Sequence, residues 1–249
     1  MKVLVIPDPH GSEEWKNWIT KENEYDKCIC LGDWFDAPKN DAKKQIANYK
    51  AYMHYVHKDW NKYYSLLGER DFNYLVDKPY QVDHAIEIKK AIEDEIPWTN
   101  IAVKLEDTVF SHAGISSLWL EYTFKLSDYI DIRDMRYGNH LAIDILNALL
   151  KQHEYYLFDY DTDVVKYSGG DENAYQGPLW IKPSSLVRCM EFDKQIVGHT
   201  ETIAINGLLD YINDEPQKQK YFHNVCPSTI NQSLILADSP DHLPHIIEI

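Results

Sequence analysis

KVLVIPDPHG, residues 2–11, is a short apolar run that stops on an aspartate, a histidine and a glycine. Its Val and Ile content and its length predict a buried strand over 2–7, ending at Asp8. The same kind of ending recurs four more times. KCICL at 27–31 stops at Gly32-Asp33-Trp34-Phe35-Asp36, and YYSLL at 63–67 stops at Gly68-Glu69-Arg70-Asp71. A hairpin at 101–105 and 108–112, turning at Glu106-Asp107, stops at Ser111-His112-Ala113-Gly114. The run at 194–198 stops at Gly198-His199-Thr200. Open α/β sheets hold ligands beyond the carboxyl ends of their strands, so five such ends point to one shared site. Five of the ten glycines (Gly11, Gly32, Gly68, Gly114 and Gly198) fall at these places, where glycine permits a tight turn.

Between these runs, helical spacing marks 41–59, with Ile46, Tyr49, Tyr52, Met53 and Val56 on one stripe. Further helices are expected at about 12–19, 82–95, 115–126 and 139–151. Short β runs are expected at 203–205, 221–225, 233–237 and 245–248. The stretch 154–177 is acidic and rich in tyrosine, and reads as an irregular lid or a solvated loop. Strand–helix alternation followed by hairpins predicts a layered α/β fold. The 249 residues are read as a single domain, 1–249, with a helical and irregular insertion at about 121–177.

Composition narrows the classes. The net charge is −15, which opposes unassisted binding to a nucleic-acid backbone. It leaves anionic substrates open if bound cations reverse the local field. No apolar run reaches the roughly 18 residues of a membrane span, so no membrane partner is expected. Cys28, Cys30, Cys189 and Cys226 have no framework spacing, and a reduced, cytoplasmic setting is the default expectation. P-loop, C-x-x-C, H-E-x-x-H and G-x-S-x-G motifs are absent.

The strand ends supply aspartates, a further carboxylate and histidines. Such mixed oxygen and nitrogen donors suit Mn, Fe or Zn better than Ca or Mg. Two dications about 3.5–4 Å apart, sharing one carboxylate, can bind a phosphate and activate water.

The ordered set Asp8-x-His10, Gly32-Asp33-x-x-Asp36, Gly68-Glu69-Arg70-Asp71, Ser111-His112-Ala113-Gly114 and Gly198-His199-Thr200 resembles the calcineurin-like metallophosphoesterase superfamily. The last two motifs, with Gly177-Pro178-Leu179-Trp180, are most similar to the branch of serine/threonine protein phosphatases, diadenosine tetraphosphatases and phage phosphatases. The resemblance runs from residue 1 to about 205. It implies a four-layer α/β/β/α sandwich with two mixed sheets. It also implies two divalent ions, manganese foremost with iron or zinc as alternatives. Asp8 and His10 would hold the first ion and Asp33 would bridge both. Glu69, His112 and His199 would hold the second, with Asp36 behind them. The implied reaction is hydrolysis of a phosphomonoester or phosphoanhydride by attack of a metal-bound hydroxide. The implied substrate is a phosphorylated small molecule, a nucleotide or a phosphoprotein.

The third motif departs from the family's Gly-Asn-His-Asp/Glu. Glu69 replaces a neutral ligand by an anion, so three carboxylates face two dications and the site attracts a phosphate dianion less strongly. Arg70 replaces the catalytic histidine. Arginine cannot act as a general acid, because its pKa exceeds about 12. It can donate paired hydrogen bonds to phosphate. Arg70, paired with Asp36, is thus expected to act as an electrostatic clamp, with esters of good leaving groups favoured over alkyl phosphates. Arg133, Arg136, Lys182 and Arg188 are further basic residues that could reach a phosphate, and Glu201 is a weak further ligand candidate. The competing expectation is a catalytically impaired relative that works as a binding module through its tyrosine-rich insertion. A nuclease is disfavoured by the charge.

Overall fold

The structure is a computed structural model describing residues 1–21, 24–36, 41–79, 84–126, 139–160, 175–186, 190–200, 233–236 and 244–249. Five strands form the first sheet: β1 (Lys2–Ile6), β2 (Lys27–Cys30), β3 (Tyr63–Leu66), β4 (Thr99–Asn100) and β9 (His245–Glu248). Their order is β4-β3-β2-β1-β9. The first four run parallel and β9 runs antiparallel to β1. The second sheet has the order β5-β6-β7-β8, from β5 (Ala102–Leu105), β6 (Thr108–Ser111), β7 (Lys194–Val197) and β8 (Ser233–Leu236). β5 and β6 form the expected antiparallel hairpin, with Leu105 opposite Thr108, and β6, β7 and β8 run parallel. Both sheets are therefore mixed.

Strands covered on both faces read as continuous apolar runs rather than alternating ones. KVLVI fits this: Val3 and Val5 face one way, Leu4 and Ile6 the other, and all four are buried. Val3, Val5, Ile29 and Leu66 of the first sheet meet Val103, Leu105, Phe110 and Ile196 of the second in one apolar layer between the sheets. Leu4, Ile6, Cys28 and Cys30 join Trp15, Tyr49, Tyr52, Met53 and Val56 on the helical side of the first sheet. Those residues come from α1 (Trp15–Ile19) and α2 (Ala42–Lys58). Asp41 caps α2 by accepting from the backbone N–H groups of Lys43 and Lys44.

Two more helices follow: α3 (Glu69–Leu75) and α4 (Ala85–Glu93). Then come α5 (Ser117–Leu126), α6 (Asn139–Lys151) and α7 (Pro183–Leu186). Leu146 and Leu150 of α6 are fully buried. Asn147 of α6 ties the helix to the start of β5, accepting from Ile101 N at 2.7 Å and donating to Ala102 O at 2.9 Å. The layers run helix, sheet, sheet, helix, as the sequence resemblance implied. Helix α6 lies inside the stretch expected as an insertion, and its Leu146 and Leu150 sit in the buried core. The acidic, tyrosine-rich stretch is described at its two ends; at the first, Tyr155–Leu157 form a 3₁₀ turn and Phe158 is buried.

Strands were expected where β1–β3 and β5–β9 lie, to within a residue or two. Helix α3, helix α7 and the two-residue β4 were not anticipated. The runs expected at 203–205 and 221–225, together with Arg133, Arg136, Arg188 and Glu201, lie outside the described residues. No described helix is long and apolar enough to cross a membrane.

Candidate metal centre

Parallel pairing puts the ends of β1, β2 and β3 along one edge of the first sheet, and the ends of β6 and β7 along the matching edge of the second. The loops leaving these ends are bonded to one another. His10 N donates to Asp33 O at 2.9 Å, Gly11 N to Trp34 O at 3.1 Å, and Gly198 N to His112 O at 2.8 Å. Ala113 N donates to Pro178 O at 2.7 Å, which docks the Gly177–Trp180 segment on the loop that carries His112.

Asp8, Asp33 and His112 converge at the centre. All three are buried, and each offers one ligand atom within 4.8 Å of the others. The Asp8 carboxylate accepts from His199 N at 2.7 Å, tying the end of β1 to the loop after β7. His112 Nδ1 lies 3.0 Å from Leu31 O, a bond that fits the Nδ1–H tautomer and leaves a lone pair on Nε2. Nε2 is buried, has no hydrogen-bond partner among the described residues, and lies 3.7 Å from Asp33 Oδ2. His199 packs edge-on against His112 with ring centroids 5.1 Å apart, and its Nδ1 is likewise buried without a hydrogen bond.

Both carboxylate oxygens of Asp33 lie against Arg70. Its Oδ1 accepts from Arg70 N at 2.9 Å. Its Oδ2 faces Arg70 Nε at 3.7 Å, and the same Nε lies 3.9 Å from Glu69 Oε1. Asp36, expected to pair with Arg70, receives the Tyr74 hydroxyl. His10 is half-buried, with Nδ1 3.5 Å from Phe35 O.

Two glycines let the loops come this close. A Cβ on Gly68 would sit 2.2 Å from both Asp33 N and Asp33 Oδ1, and one on Gly198 would sit 2.5 Å from Asp8 Oδ1. Four of the expected site residues themselves adopt left-handed backbone: His10 (φ 42°), Asp33 (φ 57°), Asp36 (φ 68°) and His199 (φ 63°). Each such residue costs about 1–2 kcal/mol unless its surroundings impose it, and such strain clusters at functional sites.

One organising residue was not foreseen. Asp71, buried in the first turn of α3, accepts from Asp33 N and Trp34 N, each at 2.9 Å, and from Gly68 N at 3.4 Å. It clamps the loop after β2 to the loop after β3. Burial, then the charge of Asp33, raises its pKa well above the ordinary carboxylate range, against the three amide bonds.

The electrostatics of the group are set by burial and by its crowded charges. Burial pushes His112 down to about 3, with Arg70 adding to the effect. Burial, His112, Arg70 and Lys182 push His199 down to about 3. Lys182 is thus the one described member of the four extra basic residues, and its charge reaches the site. Burial, then Asp33, pushes Glu69 up to about 7, with Arg70 opposing and Asp36 assisting. Neutral imidazoles beside crowded carboxylates are the donor state that a divalent ion requires.

The sign of the pH effect follows. A buried neutral imidazole contributes stability that is full above the unfolded pKa of about 6.5 and is lost as pH falls towards about 3. Glu69 acts in the opposite sense, adding stability as pH falls from about 7 to about 4.5. In chelator-treated protein at about pH 5, the ¹⁵N ring shifts of His112 and His199 are expected to be those of neutral imidazole. Imidazolium shifts at that pH would contradict the burial argument.

No protein-family model and no curated protein matches the sequence. Among solved structures, the chain aligns over 97% of its length with a cold-active protein tyrosine phosphatase, at TM-score 0.54 and 18% identity, covering 70% of that chain. It aligns as well with the cold-active protein-tyrosine phosphatase of a psychrophile, Shewanella sp., over 97% of this chain and 72% of that one, at TM-score 0.54 and 18% identity. At this identity the likeness is one of fold, and the chemistry has to be argued from the site.

Proposed function

We propose that the chain is a divalent-metal-dependent phosphoesterase of the calcineurin-like kind, acting on a phosphomonoester or phosphoanhydride. The observation that carries this reading is the buried Asp8–Asp33–His112 group, with the lone pair of His112 Nε2 left without a hydrogen bond among the described residues. Asp8, His10, Asp33, Glu69, His112 and His199 would hold two ions, manganese foremost, with iron or zinc also suited to these donors. When bound, such ions supply an activated water and neutralise the oxygens of the transferring phosphoryl group.

The chain's own residues do the rest. Asp33 is fixed by Arg70 N through one oxygen and turns the other towards His112. Leu31 O fixes the His112 tautomer, and the Asp8 carboxylate holds the His199 loop in place. Arg70 offers guanidinium donors to a phosphate but no labile proton. Asp36, held by Tyr74, acts on this end of the site through its charge, which reaches Glu69. With no general acid at position 70, leaving groups that depart without protonation are favoured.

The substrate classes remain a phosphorylated small molecule, a nucleotide or a phosphoprotein, within a single-domain cytoplasmic enzyme. The net charge of −15 speaks against nucleic acid. The test is p-nitrophenyl phosphate turnover by chelator-stripped protein, before and after adding Mn²⁺. Turnover is expected only with metal, and alkyl phosphates are expected to be slower by about 10²-fold or more. Turnover undiminished by chelator, or none with Mn, Fe or Zn, would overturn the reading and favour a binding module.

A further inference from the structure

The Arg70 side chain is about one-third exposed and lies over two of the carboxylates that would hold a metal. Its backbone N–H is bonded to Asp33 Oδ1, which anchors the residue at the start of α3. Its Nε lies 3.7 Å from Asp33 Oδ2 and 3.9 Å from Glu69 Oε1. Asp33 Oδ2 also lies 3.7 Å from His112 Nε2. An ion drawn to Asp8, Asp33 and His112 meets two carboxylates and a nitrogen whose lone pair has no hydrogen bond among the described residues. An ion that uses Glu69 together with Asp33 meets a guanidinium already placed beside both.

We propose that Arg70 is an internal competitor for one of the two metal positions, so that the site binds its ions with unequal affinity. This rests on the metal-dependent reading above and adds to it an order of filling. The ion beside Asp8 and His112 binds first; the geometry groups His112 with Asp8 and Asp33, whereas the resemblance set it with Glu69. The ion that needs Glu69 binds second, after the guanidinium has moved off the Asp33 and Glu69 carboxylates. Two effects weaken that second step. The ion-pair attraction of Arg70 to both carboxylates is lost, and its permanent positive charge stays close to the incoming dication. Arginine stays protonated throughout the accessible range, so pH does not relieve the competition. Relief comes from movement of the side chain, which its partial exposure permits.

The experiment is a Mn²⁺ titration of the full chain after chelator treatment, with free Mn²⁺ followed by its six-line electron paramagnetic resonance signal. Wild type is expected to take up two ions in steps separated by about tenfold or more. Arg70→Gln is expected to leave the first step within about twofold and to tighten the second by about tenfold. Arg70→Lys, which keeps the charge without the fork, is expected to keep the second step weak. Two equal steps in wild type, or a second step that Arg70→Gln leaves unmoved, would overturn the proposal. No uptake at all in wild type would instead sink the metal-dependent reading itself. This readout needs no turnover, so the two failures are distinguishable.

Discussion

Asp33→Asn is expected to lower metal-dependent turnover by about 10³-fold or more, roughly 4 kcal/mol of barrier. Both carboxylate oxygens accept or face a positive partner. Oδ1 takes the Arg70 backbone N–H, while Oδ2 faces the positive Arg70 Nε and, at 3.7 Å, the lone pair of His112 Nε2. An amide has only one acceptor oxygen. In one orientation its NH₂ opposes the Arg70 N–H. In the other it opposes the cations. The substitution also removes the carboxylate that is proposed to be shared by the two ions. Stability is expected to move the other way. The Asp33 charge is a cause of the raised pKa values of both Glu69 and Asp71. Removing it relieves repulsion in the metal-free protein, so the melting temperature without metal should hold or rise. A functional site that opposes stability in this way is a common compromise. Turnover within tenfold of wild type, or a large fall in metal-free melting temperature, would contradict this role for Asp33.

Asp71→Ala is expected to have the largest effect on stability. The variant leaves Asp33 N and Trp34 N without the acceptor they have at 2.9 Å, and Gly68 N without its longer one. Each buried, unsatisfied donor costs about 1–3 kcal/mol, so a loss of roughly 3–5 kcal/mol is expected after partial relaxation. For a chain of this size that corresponds to a fall in melting temperature of about 10 °C. Removing a carboxylate whose own pKa is raised by burial offsets part of the loss. Asp71→Asn keeps one acceptor oxygen and should cost less than half as much. Differential scanning calorimetry of the metal-free proteins checks both. Because the clamp sets the distance between the loops after β2 and β3, Asp71→Ala should also weaken metal binding. Equal melting temperatures for Asp71→Ala and wild type would show that the clamp has no energetic role.

The strand ends were readable because a buried parallel strand is a short unbroken apolar run, and each run here stops on glycine and polar residues. Three of the six expected ligands, Asp8, Asp33 and His112, sit at such stops and meet as one group. His199 joins them through its ring contact with His112 and its bond to Asp8. Glu69 approaches through Arg70, while His10 is tied in by backbone bonds to the Asp33 loop.

What escaped the sequence was non-local or masked by burial. Helix α3 shows no polar stripe, because Asp71, Phe72, Asn73, Tyr74 and Leu75 are all buried. A helix covered all round leaves no period of polarity to read. The clamp by Asp71 spans 38 residues to Asp33, and nothing local signals it. The ion pairs of Arg70 with Asp33 and Glu69 depend on where α3 begins, which was itself unread. The left-handed backbone at His10, Asp33, Asp36 and His199 left only an indirect trace, in the glycines that flank them.

The most direct test is crystallographic: crystals grown with Mn²⁺, with data collected near the manganese absorption edge. Anomalous density in contact with the carboxylates of Asp8 and Asp33 and with the His112 ring is expected, with a second, weaker peak towards Glu69. Density confined to exposed surface carboxylates, with none among Asp8, Asp33 and His112, would contradict the metal centre and the phosphoesterase chemistry built on it.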